Sequence, residues 1–133
     1  MLDRLQALHD AAIKGIDALE ALATEVEPRL AEVAAARLAI SKVSRVRASF
    51  LEATVYPAIE AFAPQAIAGL RSRGRERMLA SSEHIKRWTT AELQTNWPEY
   101  RVLSKGLRIG MRARIREEQA LLYPLILRLR KAA

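Results

Sequence analysis

The chain holds two histidines, His9 and His84, and no cysteine. Disulfides, thiolate nucleophiles and zinc–thiolate sites are therefore excluded. The two imidazoles are the only nitrogen ligands and imidazole bases available. Three more residues with chemistry to offer fall on otherwise apolar stripes: Arg47, Arg114 and Glu118. Two histidines and one carboxylate suit a single divalent ion with open coordination positions. Arginine has no lone pair for a metal, but it can neutralise a carboxylate or receive a planar anion. Glu118 follows Arg114 by four residues, so the two are neighbours on one helix face. Two guanidinium groups against one carboxylate leave a positive excess suited to a small anion. Glu117 and Glu118 point about 100° apart on a helix, which weakens any acid–base pair between them. No glycine-rich phosphate loop and no serine elbow occurs.

The elements that must position these residues are helices. Five glycines and five prolines punctuate 133 residues, and the stretches between are rich in Ala, Leu, Arg and Glu. No sustained alternation marks a strand. The pattern predicts a first helix over 2–25 and a second from Pro28 to about Tyr56, kinked or ended by Pro57. A basic connector is expected over 63–77, bent at Pro64, Gly69 and Gly74. A third helix follows over 76–94, and a fourth over 98–130 that continues through Gly106, Gly110 and Pro124. Helices of 20–30 residues are roughly 30–45 Å long. Four of them on short links make an all-α, up-down antiparallel four-helix bundle, a single domain over 1–133.

The inward stripe of the first helix reads Leu2, Leu5, His9, Ala12, Ile16, Leu19, Ala23. The second reads Val33, Ala36, Ile40, Ser44, Arg47, Leu51, Val55. The fourth reads Leu103, Leu107, Gly110, Arg114, Glu118, Leu121, Leu125. His84 shares a face with Ser81, Trp88 and Ala91. Buried charge is costly unless paired. These polar intruders therefore meet one another or face something bound.

Charge is unevenly divided. Residues 1–66 carry 7 basic and 9 acidic groups, and residues 67–133 carry 15 and 6, giving the overall +7. The run Arg71-Ser72-Arg73-Gly74-Arg75-Glu76-Arg77 could meet phosphate, although no aromatic interleaves it and a solvated connector suffices. Arg108, Arg112 and Arg116 would form a positive ridge on the outside of the fourth helix. No apolar run is long enough for a transmembrane helix, so no membrane partner is expected. No secretory signal is visible at the start, and a cytoplasmic protein is expected.

The second and fourth helices match at a spacing of 67. Arg47 aligns with Arg114, Leu51 with Glu118, and Val55-Tyr56-Pro57-Ala58-Ile59 with Leu122-Tyr123-Pro124-Leu125-Ile126. With His9 and His84 in the preceding helices, the chain resembles the hemerythrin-like, or HHE cation-binding, family over nearly its whole length. Each half of such a domain carries a histidine on one helix, then His-x-x-x-Glu and an aliphatic-aromatic-proline ending on the next. The resemblance implies a four-helix bundle around a non-heme di-iron centre, and O₂, NO or iron handling or sensing. His9, His84 and Glu118 match family ligands. Arg47 and Arg114 stand where the family has histidine, and Leu51 where it has glutamate.

These departures remove the full di-iron centre. They leave either no cofactor or one iron or other divalent ion at His9, His84 and Glu118. The expected protein is not an enzyme but a sensing or regulatory hemerythrin-like chain with an incomplete site. The alternatives are a metal-free interaction module whose basic face meets an acidic protein partner or a nucleic acid, and a small-anion binder using Arg47 and Arg114.

Overall fold

The computed structural model describes residues 1–132. All elements among them are helical. Helix α1 spans Leu2–Ala23 and α2 spans Leu30–Phe50. A π-helical turn, Leu51–Val55, carries α2 directly into α3, Tyr56–Glu60. Then come α4 (Pro64–Arg87), a short α5 (Thr90–Thr95) and a long α6 (Trp97–Ala132).

Pro57 neither ends the second helical stretch nor breaks it. Its ring would clash with the carbonyl four residues back, and it has no N–H to give. The chain widens into the π-helical turn just before it, where the Tyr56 N–H reaches back to the Leu51 carbonyl. Pro124 lies inside α6, as the sequence suggests.

The basic segment 71–77 is not a connector but the middle of α4. Pro64 sits in that helix's first turn, where its missing N–H costs nothing. Neither Gly69 nor Gly74 adopts a positive φ. Packing explains the helix: Ile67 and Leu70 are fully buried against α3 and α6 residues and outweigh the glycine propensity penalty. The expected helix over 76–94 is instead broken at Trp88, whose ψ of 74° leaves the helical region. Thr89 then caps α5, its hydroxyl accepting from the Glu92 N–H at 3.3 Å. Thr-x-x-Glu is the sequence signature of that start.

Side-chain contacts give the directions. Arg101 donates to the Ala23 carbonyl, Arg112 meets Asp17 and Glu20, and His9 meets Glu118. Thus α1 and α6 run antiparallel. In the same way Arg73 meets Glu117, Arg77 meets the Gly110 carbonyl and Arg87 meets Glu99, so α4 and α6 run antiparallel too.

The core is layered along α6. At one end Trp97 and Tyr100 pack with Leu19, Val33, Trp88 and Leu93. In the middle Ile115 packs with Ala12 and Ile16. At the other end Leu122 and Ile126 pack with Leu5, Val55, Ile59 and Ile67. Two polar layers separate these apolar ones: buried Ser104 and Arg108, then buried Arg114, Glu118 and His9.

Every α1 residue expected to face inward is buried. On α6 the phase differs. Ser104, Arg108, Ile115, Leu122 and Ile126 are buried beside Arg114 and Glu118, while Leu103 and Leu121 are exposed. A helix touching neighbours on both sides buries a broader face than a single stripe. The expected outer ridge therefore dissolves: Arg108 is interior and Arg112 lies in the α1–α6 seam.

The glycines provide a test. A Cβ at Gly106 or Gly110 meets nothing within 4 Å, so Gly106→Ala should raise stability by about 0.5–1 kcal/mol. A Cβ at Gly74 would stand 3.0 Å from Arg114 Nη2, which is tethered to the Leu70 carbonyl at 2.8 Å. Gly74→Ala should lower stability instead, and urea unfolding of both variants reads the opposite signs.

Candidate functional site

The polar layer that contains Glu118 draws on four helical stretches. Glu118 and Arg114 come from α6, one turn apart on its inner side. His9 comes from the buried stripe of α1. Arg47 comes from the last turn of α2. Tyr56, just after the π-helical turn, and the Leu70 carbonyl of α4 complete the ring.

Glu118 is 1% exposed and His9 not at all. Glu118 Oε1 accepts from His9 Nε2 at 2.8 Å and lies 3.5 Å from Arg47 Nε. Its Oε2 lies 2.8 Å from Arg114 Nε. Burial pushes the Glu118 carboxyl up, but the His9 hydrogen bond and the Arg47 and Arg114 charges outweigh it and hold it below its usual value of 4.5. Glu118 is therefore a carboxylate and can only accept.

His9 Nε2 carries the proton it gives to Glu118, and Nδ1 shares a hydrogen bond of 2.6 Å with the Tyr123 hydroxyl, as acceptor when the ring is neutral. Burial raises the Tyr123 pKa, so the hydroxyl keeps its proton to donate. Both ring nitrogens of His9 are thus committed, one to Glu118 and the other to Tyr123.

Arg114 spends its fork in the same way. Besides Glu118, its Nη1 donates to Glu117 at 3.0 Å, and its Nη2 donates to the Leu70 carbonyl at 2.8 Å. The Tyr56 hydroxyl lies 3.5 Å from Nη2 and stays protonated, burial pushing it up to about 12. Glu117 does not point inward with Glu118, but it closes over Arg114 from the rim and also accepts from Arg73. With Arg73 counted, the layer sets three arginines against Glu117 and Glu118, and Arg73 with Arg114 share one Glu117 oxygen. The space between Arg47 and Arg114, where an anion was expected, is held by the Glu118 carboxylate.

His84 is not in this layer. Its ring stacks on Tyr100 at 5.7 Å between centroids and lies 6.4 Å from Trp88. Tyr100 and Glu118 are eighteen positions apart on α6, about 27 Å of helix. Thus His9, Glu118, Arg47 and Arg114 come together and His84 stays apart. Among the described residues, no three His, Asp or Glu side chains stand where they could share a metal ion. The α4 groups beside Arg114 are Leu70 and Gly74. The repeat contains this result: a spacing of 67 places residue 76, not 84, opposite His9, and eight residues of helix are about 12 Å.

The expected basic connector also changes meaning. Arg71 pairs with Glu52 and Glu60, Arg73 with Glu117, and Arg77 with the Gly110 carbonyl. Three of its four arginines tie α4 to its neighbours.

Comparison with protein-family models finds no match to this chain, and none is found among curated proteins or solved structures.

Two measurements check this geometry. Glu118→Gln should cost about 3–5 kcal/mol in urea unfolding, because it strands two guanidinium groups inside the protein. Acid titration should show two components. Burial, helped by the Arg37 and Arg87 charges, lowers the His84 pKa from 6.5 to about 4. The unfolded chain then binds that proton first, so stability falls as pH drops from 6.5 towards 4. His84→Phe should flatten that segment. The Glu118 contribution, present above 4.5, disappears only at lower pH as its depressed folded-state value is crossed.

Proposed function

We propose that this chain is a metal-free helical regulatory module of hemerythrin-like architecture, in which the chamber of an ancestral metal site has become a salt-bridged core. The antiparallel pairing of α1 with α6 and of α4 with α6 supports an up-down bundle of four long helical stretches. The internal repeat supports the same two-hairpin plan.

One observation carries the reading. His9 Nδ1 is engaged by the Tyr123 hydroxyl, and the Glu118 carboxylate is held by His9, Arg114 and Arg47. A divalent ion would have to break these bonds and then sit beside two guanidinium charges. The residues present do not fit a di-iron centre. With His84 at the other end of α6, they do not fit the three-ligand mononuclear set either.

A binding role is preferred to catalysis, because the layer's imidazole and its inner carboxylate, His9 and Glu118, are buried and bonded to each other. An acidic protein fits better than nucleic acid as its partner. The arginines at 71, 73 and 77 are paired with acceptors of the chain itself, whereas phosphate-backbone binding needs several free cations in a row.

Metal analysis of untagged protein, paired with thermal unfolding in Fe(II), Mn(II) and Zn(II), tests the proposal. The expected outcome is metal well below one equivalent and an unchanged Tm. Stoichiometric iron that is lost in His9→Ala would sink it.

A further inference from the structure

The second polar layer, nearer the start of α6, is built differently. Tyr100, Ser104 and Arg108 recur at four-residue intervals, so they stack along one side of the helix. All three are buried. Arg108 is 5% exposed, and its Nη1 donates to Ser104 Oγ at 2.6 Å. Its Nε is buried without a hydrogen-bond partner. Among the described residues the one carboxylate within ion-pair reach is Glu20, whose Oε2 stands 3.8 Å away. That same oxygen already accepts from Arg112 Nη1 at 2.8 Å.

Two further polar atoms of the residues packed around Tyr100 are also unsatisfied. The Tyr100 hydroxyl and Trp88 Nε1 are buried with no partner, and their rings pack edge to face at 5.3 Å. Arg37 adds a second cation. Its guanidinium lies 5.7 Å from the Tyr100 ring centroid and gives Nη1 to the Trp88 carbonyl, and no carboxylate pairs with it among the described residues. With Asp17 and Glu20 set against Arg108, Arg112 and Arg37, the layer keeps one cation in excess and three buried donors without acceptors. In the Glu118 layer, by contrast, no buried side-chain donor among the described residues lacks a partner.

A buried guanidinium with a free N–H is expensive to keep. Water would satisfy a donor but would not neutralise the charge. A small oxyanion would do both, and the planar arginine fork matches a carboxylate or phosphate edge. A groove of about 410 Å³ between α4 and α6 borders the layer. Trp88 is the residue of this layer that lines it, together with His84, Leu103, Gly106 and the opposed charges of Glu83 and Arg87.

We infer that Arg108, Ser104 and Tyr100 form the seat of a small oxyanion, a carboxylate or a phosphate, with Arg108 as its charge partner and the Tyr100 hydroxyl as a second donor. This goes beyond the proposed function. It rests on a different layer and stands or falls whatever the Glu118 layer holds.

The test uses the full chain in sodium phosphate or sodium acetate against chloride at equal ionic strength, read by thermal unfolding and by calorimetry. One of the two oxyanions should raise Tm by about 5 °C or more when present ~100-fold above its Kd. A response to phosphate alone or to acetate alone assigns the anion class. Tyr100→Phe should weaken binding about tenfold or more, and Arg108→Met should abolish it. Arg116→Met, on the exposed side of α6, should bind like the parent. If Arg108→Met does not fold, the indole N–H resonance of Trp88 and the Nε–H resonance of Arg108 in the parent protein decide: both should shift with added anion. No Tm change and no resonance shift with either anion would overturn the inference. So would binding that survives both Tyr100→Phe and Arg108→Met.

Discussion

A single buried carboxylate carries the arrangement of the helices at one end of the molecule. Glu118 receives His9 from α1, Arg47 from α2 and Arg114 from its own helix. Arg114 in turn reaches the backbone of α4 through the Leu70 carbonyl. The register of four helical stretches is therefore referred to one pair of oxygens. Charges taken out of water are tolerated only when their partners are in place, so these helices cannot slide independently without stranding a charge. Apolar packing on either side is less particular, because hydrophobic burial has no direction.

The same constraint governs what the layer can bind. A metal chamber needs lone pairs that converge on an empty point. Here the lone pairs are answered by N–H and O–H donors from the chain itself. Arg47 and Arg114 claim the Glu118 carboxylate, and Arg114 brings Glu117 in at the rim. The interior becomes self-sufficient.

The layer around Arg108 shows the opposite economy. It has donors in excess, an Arg108 whose one carboxylate partner is shared and 3.8 Å away, and an open groove that meets it at Trp88. One helix thus carries a closed polar layer and an open one, with Ile115 and its neighbours between them. Function is more readily sought in the open one.

Much of this was legible in the residues. The α1 stripe needed only the helical period, because α1 buries a single face. The ion pair of Arg114 with Glu118 followed from their four-residue spacing. Less visible was the phase of α6, where a broad buried face took in Ser104 and Arg108 and released Leu103 and Leu121. Helix α4 was hidden by its glycines and its charge. Its arginines look like a solvated run until Glu52, Glu60, Glu117 and the Gly110 carbonyl are seen to receive them. His84 was misplaced because one histidine per half suggests a matched pair, whereas the repeat spacing put it eight residues out of step.

The sequence by itself determined that this chain is helical, where its first helix faces inward, and that its interior contains both cations and a carboxylate. Those are local properties, set by backbone propensity and side-chain period. Only the tertiary structure decided which cation is neutralised and which is left wanting. Charge compensation depends on distances of 3–4 Å between residues as far apart in the chain as His9 and Glu118, and no local pattern encodes such distances.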